Sequence, residues 1–295
     1  MNGKLKRSSV TGKSGSAGDL APGLYVTATP IGNAADITLR GLEVLKTCDL
    51  IAAEDTRVTA KLLAIHGIAR PLTAYNDHNA ARERPRLLAR LRQGARIALV
   101  SDAGTPLISD PGFKLVREAI AEDLSVHAVP GASAILAGLA LAGLPTDRFF
   151  FAGFLPARQG ERRAALEGLK TIRATLVLFE SAQRLGASLT DMAEILGIRT
   201  AAVARELTKL HEEVRRGLLS ELCEHYEKKG APKGEVTLVI SPPHDVGADM
   251  SRVDSALDKA LAFMPTRAAV DLVAEMLETP RRAVYERALE KKNDG

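Results

Sequence analysis

The chain has 295 residues, of which 46% are apolar and 26% charged, and its net charge is +4. That length allows two domains of ordinary size, the composition is that of a soluble globular protein, and no apolar run is long enough to span a membrane. Two cysteines, Cys48 and Cys223, and six histidines show no metal or redox spacing, and tryptophan is absent. A metal centre, a disulfide scaffold and a base-stacking single-strand platform are therefore not the leading readings, and a reducing cytoplasm is expected.

Residues 1–22 are Gly, Ser, Lys and Arg with almost no apolar content, and read as a disordered basic arm. Gly12-Lys13-Ser14 has the look of a phosphate-loop ending. Arg7 stands where that motif needs its first glycine, and no strand precedes it, so the match is discarded. Leu24–Ala28 is the first expected strand and runs into Thr29-Pro30-Ile31-Gly32-Asn33. Asp36 is expected to cap a helix through Leu45. Asp49–Ala53 is a second strand, followed by Glu54-Asp55-Thr56-Arg57. Ala80–Gln93 has helical spacing, with Leu87, Leu88 and Leu91 as its apolar stripe. Its other face carries Arg82, Arg84, Arg86, Arg90 and Arg92. Arg82, Arg86 and Arg90 lie four apart, which makes either a solvated face or a phosphate-contacting stripe.

The stretch from Leu99 to Gly112, LVSDAGTPLISDPG, is the most informative. A buried strand over Ile97–Val100 stops at Ser101, and helical spacing resumes only at Phe113–Ala121. A parallel-sheet connection needs two to six residues or so. This one spends about a dozen on small, rigid and acidic types at a strand's carboxyl end, where ligands of open α/β sheets sit. Ser125–Val129 is a further strand, ending in Pro130-Gly131-Ala132-Ser133-Ala134 and a small-residue helix over Ile135–Leu141.

Gly143–Asp147 reads as a domain boundary. Beyond it, Phe149–Phe154 opens the second half and Pro156–Arg163 is expected to be a basic loop. Thr175–Phe179 is a strand ending in Glu180-Ser181, and Asp191–Leu196 lies on a helix. Thr200–Ala204 is a strand ending in Arg205-Glu206-Leu207-Thr208-Lys209, Gly217–Tyr226 is helical, and Gly234–Ile240 is the last strand. After a linker at 242–250 come three helical patterns, Ser251–Phe263, Thr266–Leu277 and Pro280–Glu290. The turn before Arg281 has the form of a helix-turn-helix and its end is basic, so it is either a lid or a nucleic-acid contact.

Together, ATPIGN (28–33), DITLR (36–40), AAEDTR (52–57), SDAGTPLISDPG (101–112), VPGAS (129–133), GLPTDRF (143–149), ARELTK (204–209) and KGEVTLVI (233–240) resemble the ribosomal RNA small subunit methyltransferase I family. That family belongs to the tetrapyrrole-methylase-like class of S-adenosylmethionine enzymes. The resemblance spans about Leu24 to Ile240. One segment departs from it: Glu180-Ser181-Ala182-Gln183-Arg184 replaces a Glu-Ser-Pro-His-Arg-like run.

The resemblance implies an α/β, two-domain fold (23–145 and 146–242) with a helical extension at 250–295, and the methyl donor S-adenosylmethionine in the cleft between the domains. It implies donor contacts at Pro30, Asp102, Gly104, Thr105, Pro106, Ile108, Ser133, Ala134, Glu180 and Glu235. It also implies a homodimer that methylates the ribose 2′-hydroxyl of a cytidine in the decoding region of small-subunit rRNA, either free or within the subunit. A sulfonium donor suits carboxylates and carbonyls better than a basic phosphate cradle. Candidate bases for the ribose hydroxyl are Glu54, Asp55, Glu206 and Lys209, each of which could equally be a structural ion pair. RNA contacts are expected at Arg82, Arg86, Arg90, Arg158, Arg162, Arg163, Arg281 and Arg282. Two rivals stay open: a same-fold methyltransferase for a tetrapyrrole or other small acceptor, and a non-enzymatic RNA-binding protein.

Overall fold

The computed structural model describes residues 20–243, 250–277, 279 and 281–293. Most of the expected basic arm, most of the 242–250 linker and Pro280 lie outside the described residues. The chain divides into two compact units. The first comprises residues 1–142, 203–214 and 234–237, and the second 143–202, 215–233 and 238–295.

In the first unit, β1 (Gly23–Thr27), β2 (Leu50–Ala53), β3 (Leu72–Ala74), β4 (Arg96–Val100) and β5 (Val126–Val129) form a parallel sheet in the order β3-β2-β4-β1-β5. Helices α1 (Leu39–Thr47), α2 (Thr56–Ile65), α3 (Ala80–Arg92), α4 (Phe113–Ala121) and α5 (Ala134–Ala142) connect and follow the strands. Alternate residues of β4 explain why both faces must be covered. Ala98 and Val100 join one apolar cluster with Val44 and Leu45 of α1 and Leu63 of α2. Ile97 and Leu99 join another with Leu87, Leu88 and Leu91 of α3 and Leu115 of α4. A parallel sheet with both faces buried reads as a continuous apolar run, as Ile97–Val100 does.

Two local readings are corrected. Asp36 does not open α1. It sits in a short 3₁₀ turn, Ala34–Asp36, capped by Asn33, and Ile37 then extends the chain. Thr38 caps α1 instead, its hydroxyl accepting from the Gly41 amide at 3.0 Å. The expected basic loop at Pro156–Arg163 is largely helix, because α6 begins at Gln159 and runs to Leu169.

The second sheet has the order β6-β7-β10-β8-β9, with β6 (Phe149–Phe154), β7 (Thr175–Ser181), β8 (Thr200–Arg205), β9 (Glu213–Leu218) and β10 (Glu235–Ile240). In the second unit, α7 (Leu185–Leu196) packs against α6 and against α8 (Leu219–Lys229). The tail helices α9 (Met250–Leu261), α10 (Thr266–Met276) and α11 (Arg281–Asn293) share a core of their own, made of Val253, Leu257, Val270, Val273, Val284 and Ala288. Among the described residues no helix is long and apolar enough to cross a membrane.

Candidate active site

The loops expected to hold the donor lie in the first unit, at the carboxyl ends of its strands. The loop after β1 and the loop after β4 are stitched together. Thr29 donates its amide to the Gly104 carbonyl at 2.8 Å, and Gly104 returns the bond at 3.1 Å. The Thr29 hydroxyl donates to the Ser101 carbonyl at 3.0 Å. The long loop closes on itself by unusual backbone angles: Gly104 at φ +79°, Leu107 at +77° and Ser109 at +64°. Two non-glycine residues in the left-handed region are sites of stored strain, held only because their surroundings over-determine them. Thr105 reaches the loop after β5, donating its hydroxyl to the Ala132 carbonyl at 3.4 Å. Pro30, Gly104 and Pro106 are buried, Thr105, Ser133 and Ala134 are half-buried, and Asp102 and Ile108 are exposed. The first unit thus brings together every expected donor contact except Glu180.

A carboxylate group borders this loop. Asp102 accepts from the Asp55 amide at 3.0 Å, and its own amide donates to a Glu54 oxygen at 3.3 Å. Burial raises the Glu54 pKa, and Asp102, Asp77 and Asp55 add to the rise against a backbone hydrogen bond from Asp102. Burial likewise raises Asp102. Asp110 is pushed up to about 6, first by burial and then by the Glu54 charge. Asp55 goes the other way, down to about 2, because Arg57 donates to it from side chain and backbone. Asp55 also caps α2.

A second cluster flanks the loop after β1. Lys209 donates from Nζ to Glu206 and to Glu235, each at 2.9 Å. Glu206 and Glu235 also exchange contacts through their backbones: the Glu235 amide donates to the Glu206 carboxylate at 3.0 Å, and the Glu206 amide to the Glu235 carbonyl at 3.1 Å. The Glu235 backbone bond and Lys209 hold Glu206 below its ordinary pKa. Burial would lower Lys209, but Glu235 and Glu206 outweigh it and the ammonium is held protonated. A Cβ on Gly234 would stand 2.2 Å from a Glu206 oxygen and would push that side chain out of the cluster, and the φ of +98° there also favours glycine. A Cβ on Gly32 would stand 2.4 Å from Lys209 Cγ, which shows how closely the two loops lie.

Glu180, expected at the donor, is in the second unit and buried. Its oxygens accept from the Ser181 amide, Arg184 and the Ser188 hydroxyl at 2.6–3.0 Å. It fixes the 3₁₀ turn Ala182–Arg184 that carries the departed segment.

Of the expected RNA contacts, Arg82 and Arg86 are exposed on α3 and share Glu83, while Arg90 is exposed further along the helix. Arg158 is exposed and pairs with Glu161. Arg163 is half-exposed and bonded to Asp191 and Glu194. Arg162 is a correction: it is 4% exposed and its guanidinium clamps the buried Asp191 at 2.6 Å, tying α6 to α7. A buried charge needs a partner, and this arginine is spent on one. In the tail, Arg281 pairs with Asp271 and Arg282 with Glu286.

Asp110 and Thr208 were not singled out by the sequence. The Thr208 hydroxyl accepts from the Asn33 amide at 3.1 Å across 175 positions, a contact that no local pattern announces. Asp110 could have been found as the second acidic residue of a loop too long for its connection.

The expected donor contacts are chemically suited to S-adenosylmethionine. Gly104 lets backbone close on the Ile31 side chain, where a Cβ would already touch at 3.4 Å. Carboxylates, not a basic cradle, line the loop, which is the electrostatics a sulfonium cation needs.

The tetrapyrrole (corrin/porphyrin) methylase model matches residues 23–223, and the model of the RsmI C-terminal HTH domain matches 247–292. Ribosomal RNA small subunit methyltransferase I of Mesorhizobium japonicum is 49% identical over 275 residues, covering 93% of this chain and 94% of that one. The protein of the same name from Erythrobacter litoralis is 49% identical over 277 residues, covering 94% and 98%. Among solved structures, uroporphyrin-III C-methyltransferase from Thermus thermophilus complexed with S-adenosylhomocysteine has the same fold (TM-score 0.51, 18% identity, 73% of this chain and 96% of that one). This chain belongs to the ribosomal RNA small subunit methyltransferase I family, a branch of the tetrapyrrole methylases.

Proposed function

We propose that the protein transfers the methyl group of S-adenosylmethionine to the ribose 2′-hydroxyl of a cytidine in the decoding region of small-subunit rRNA. The observation that carries it is the interlocked pair of loops, 29–33 and 101–112, bordered by carboxylates at the ends of a parallel sheet. Gly104, Thr105, Pro106, Ile108, Ser133 and Ala134 would hold the donor by backbone and small side chains, with Pro30 behind them. Asp102 would face its cationic part. The donor, when bound, supplies an activated methyl group on a positively charged sulfur. The chain's own task is to hold acceptor and donor in line, which is where most of the rate of such a displacement comes from.

Among the four base candidates, Glu54 is the one whose environment favours taking up a proton. Lys209 is held protonated, Glu206 is held as its partner, and Asp55 is too weak a base. Glu54 would accept the hydroxyl proton, and Glu206, Lys209 and Glu235 would hold the loop beside it. Glu180 acts through the turn it fixes, on this reading, and not by direct contact. The RNA grip falls to Arg82, Arg86 and Arg90, with Arg158 and Arg163 and the tail arginines Arg281 and Arg282 contributing. On this reading the protein works in the cytoplasm, which suits its two free cysteines and an rRNA substrate, and acts as the homodimer that the family resemblance implies.

The test is transfer of labelled methyl to purified small ribosomal subunits, repeated across salt concentrations, with a tetrapyrrole acceptor in parallel. RNA as substrate gives activity that falls steeply with salt. Transfer to the tetrapyrrole with a shallow salt dependence would overturn the reading in favour of a small acceptor.

A further inference from the structure

The loop between β8 and β9 ends in a feature that the donor site does not use. Leu210 is 93% exposed at its tip, followed by the exposed His211. A lone exposed leucine is ordinary on a protein surface. This one is on a loop built to hold it still. Glu206 and Thr208 both take left-handed backbone angles, φ +51° and +64°. The Glu206–Lys209–Glu235 cluster grips one side of the tip. On the other side the Thr208 amide donates to the Glu212 carboxylate at 2.7 Å, and the Lys209 carbonyl accepts from the Glu212 amide at 3.1 Å. Beneath, Leu207 is buried with Ile31 and Ala204, and the Thr208 hydroxyl holds Asn33. The tip is therefore fixed to the loop after β1, which is itself bonded to Gly104 of the donor loop. Strain, an ion cluster and a buried anchor are a large structural outlay around a side chain that touches little.

We infer that Leu210 is an apolar wedge that displaces the nucleobase of the target nucleotide, or its stacking neighbour, and so presents the ribose to the site. This rests on the RNA-methyltransferase reading above. A 2′-hydroxyl in stacked RNA lies in the shallow minor groove with its orientation set by the helix, and displacing a base frees the ribose to turn so that the hydroxyl lines up with a methyl donor. Proteins that open base steps do so with rigid aliphatic or aromatic side chains inserted between bases, next to the cationic groups that hold the backbone. Leu210 has that apolar chemistry, and Lys209 beside it, paired with Glu206 and Glu235, holds the tip in place while the backbone contacts fall to the arginines. Leu210 is a positioning residue: it acts on the geometry of the acceptor and takes no proton.

The test compares Leu210→Ala, Leu210→Lys and Leu210→Met on whichever small-subunit substrate the wild type methylates. Read-outs are kcat, RNA affinity, donor affinity by calorimetry, and light-scattering mass. The expected result is a kcat lower by about tenfold or more for Ala and Lys, RNA and donor affinities within about twofold of wild type, and recovery by Met, which restores apolar reach. Undiminished kcat in Leu210→Ala, or activity in Leu210→Lys above wild type through added phosphate attraction, would overturn the wedge. So would a loss confined to RNA affinity, or a change of oligomeric mass, which would assign the tip to a second copy. If the wild type methylates no RNA at all, the functional reading fails before this one is reached.

Discussion

Gly104 gives the sharpest test of the donor loop. Its φ of +79° is open to glycine, while an L-residue there costs about 1–2 kcal/mol. Space is the smaller concern, since an added Cβ meets Ile31 Cγ2 at 3.4 Å and the Ala132 carbonyl at 3.8 Å, both ordinary contact. The loop can escape the strain only by releasing the Thr29–Gly104 pair, two backbone hydrogen bonds of about 0.5–1.5 kcal/mol each. Neither route is free, so Gly104→Ala weakens the donor-competent loop by about 1–2 kcal/mol, or about 5- to 30-fold in donor affinity. Gly104→Val adds branched atoms toward Ile31 and Ala132 and abolishes measurable binding. Titration calorimetry with S-adenosylmethionine reads the affinities, and circular dichroism confirms the fold. Wild-type affinity in both variants would refute the placement of the donor on this loop.

Three further outcomes are expected. Replacing Arg162 by Met leaves Asp191 buried with only Gln159 and Arg163, and destabilises the chain by about 3–5 kcal/mol. Donor binding per folded molecule is unchanged, as denaturant melts and calorimetry together would show, and an unaltered melt would contradict the clamp. Asp110 has a folded pKa raised from 3.8 to about 6, so it favours the folded state below pH 3.8 and loses that contribution as pH rises through 6. Asp110→Asn therefore stabilises the protein at pH 7.5 by roughly 1–2 kcal/mol after allowance for its partial exposure. Melting temperatures across pH should show the gain vanish toward pH 4, and a gain that is constant with pH would remove the buried-carboxylate explanation. Reversing Arg82, Arg86 and Arg90 to Glu lowers RNA affinity and flattens its salt dependence by about 0.9 in log–log slope per lost phosphate contact. Filter binding at several salt concentrations checks it, and an unchanged slope would return this face of α3 to a merely solvated one.

What could be read in advance follows from the range of each interaction. The parallel strands were legible because full burial on both faces forces continuous apolar runs such as Ile97–Val100. The long loop after β4 was legible because its length and its Gly, Pro and Asp content exceed what a connection needs. β3 and β9 were not, since three residues carry no period and Glu213–Leu218 alternates too weakly to stand out. Helix α1 was misplaced by two residues because Asp36 and Thr38 are both good caps, and only the extended Ile37 between them decides. Arg162 looked like a surface cation among Arg158 and Arg163. Its partner Asp191 lies 29 positions away on α7, and that pairing is fixed by helix packing. The same limit applies to the base: Glu54, Asp55, Glu206 and Lys209 are equivalent as letters. They are separated by burial and by partners such as Arg57 and Glu235.

The central claim is methyl transfer to a ribose of small-subunit RNA. Purified small subunits and naked rRNA would be incubated with labelled S-adenosylmethionine, the RNA digested, and the modified nucleotide mapped by nuclease resistance and mass. A 2′-O-methylated cytidine in the decoding region, absent with the Gly104→Val variant, is the predicted result. Label on a base, on protein, or on neither RNA while donor binding stays intact would contradict the account.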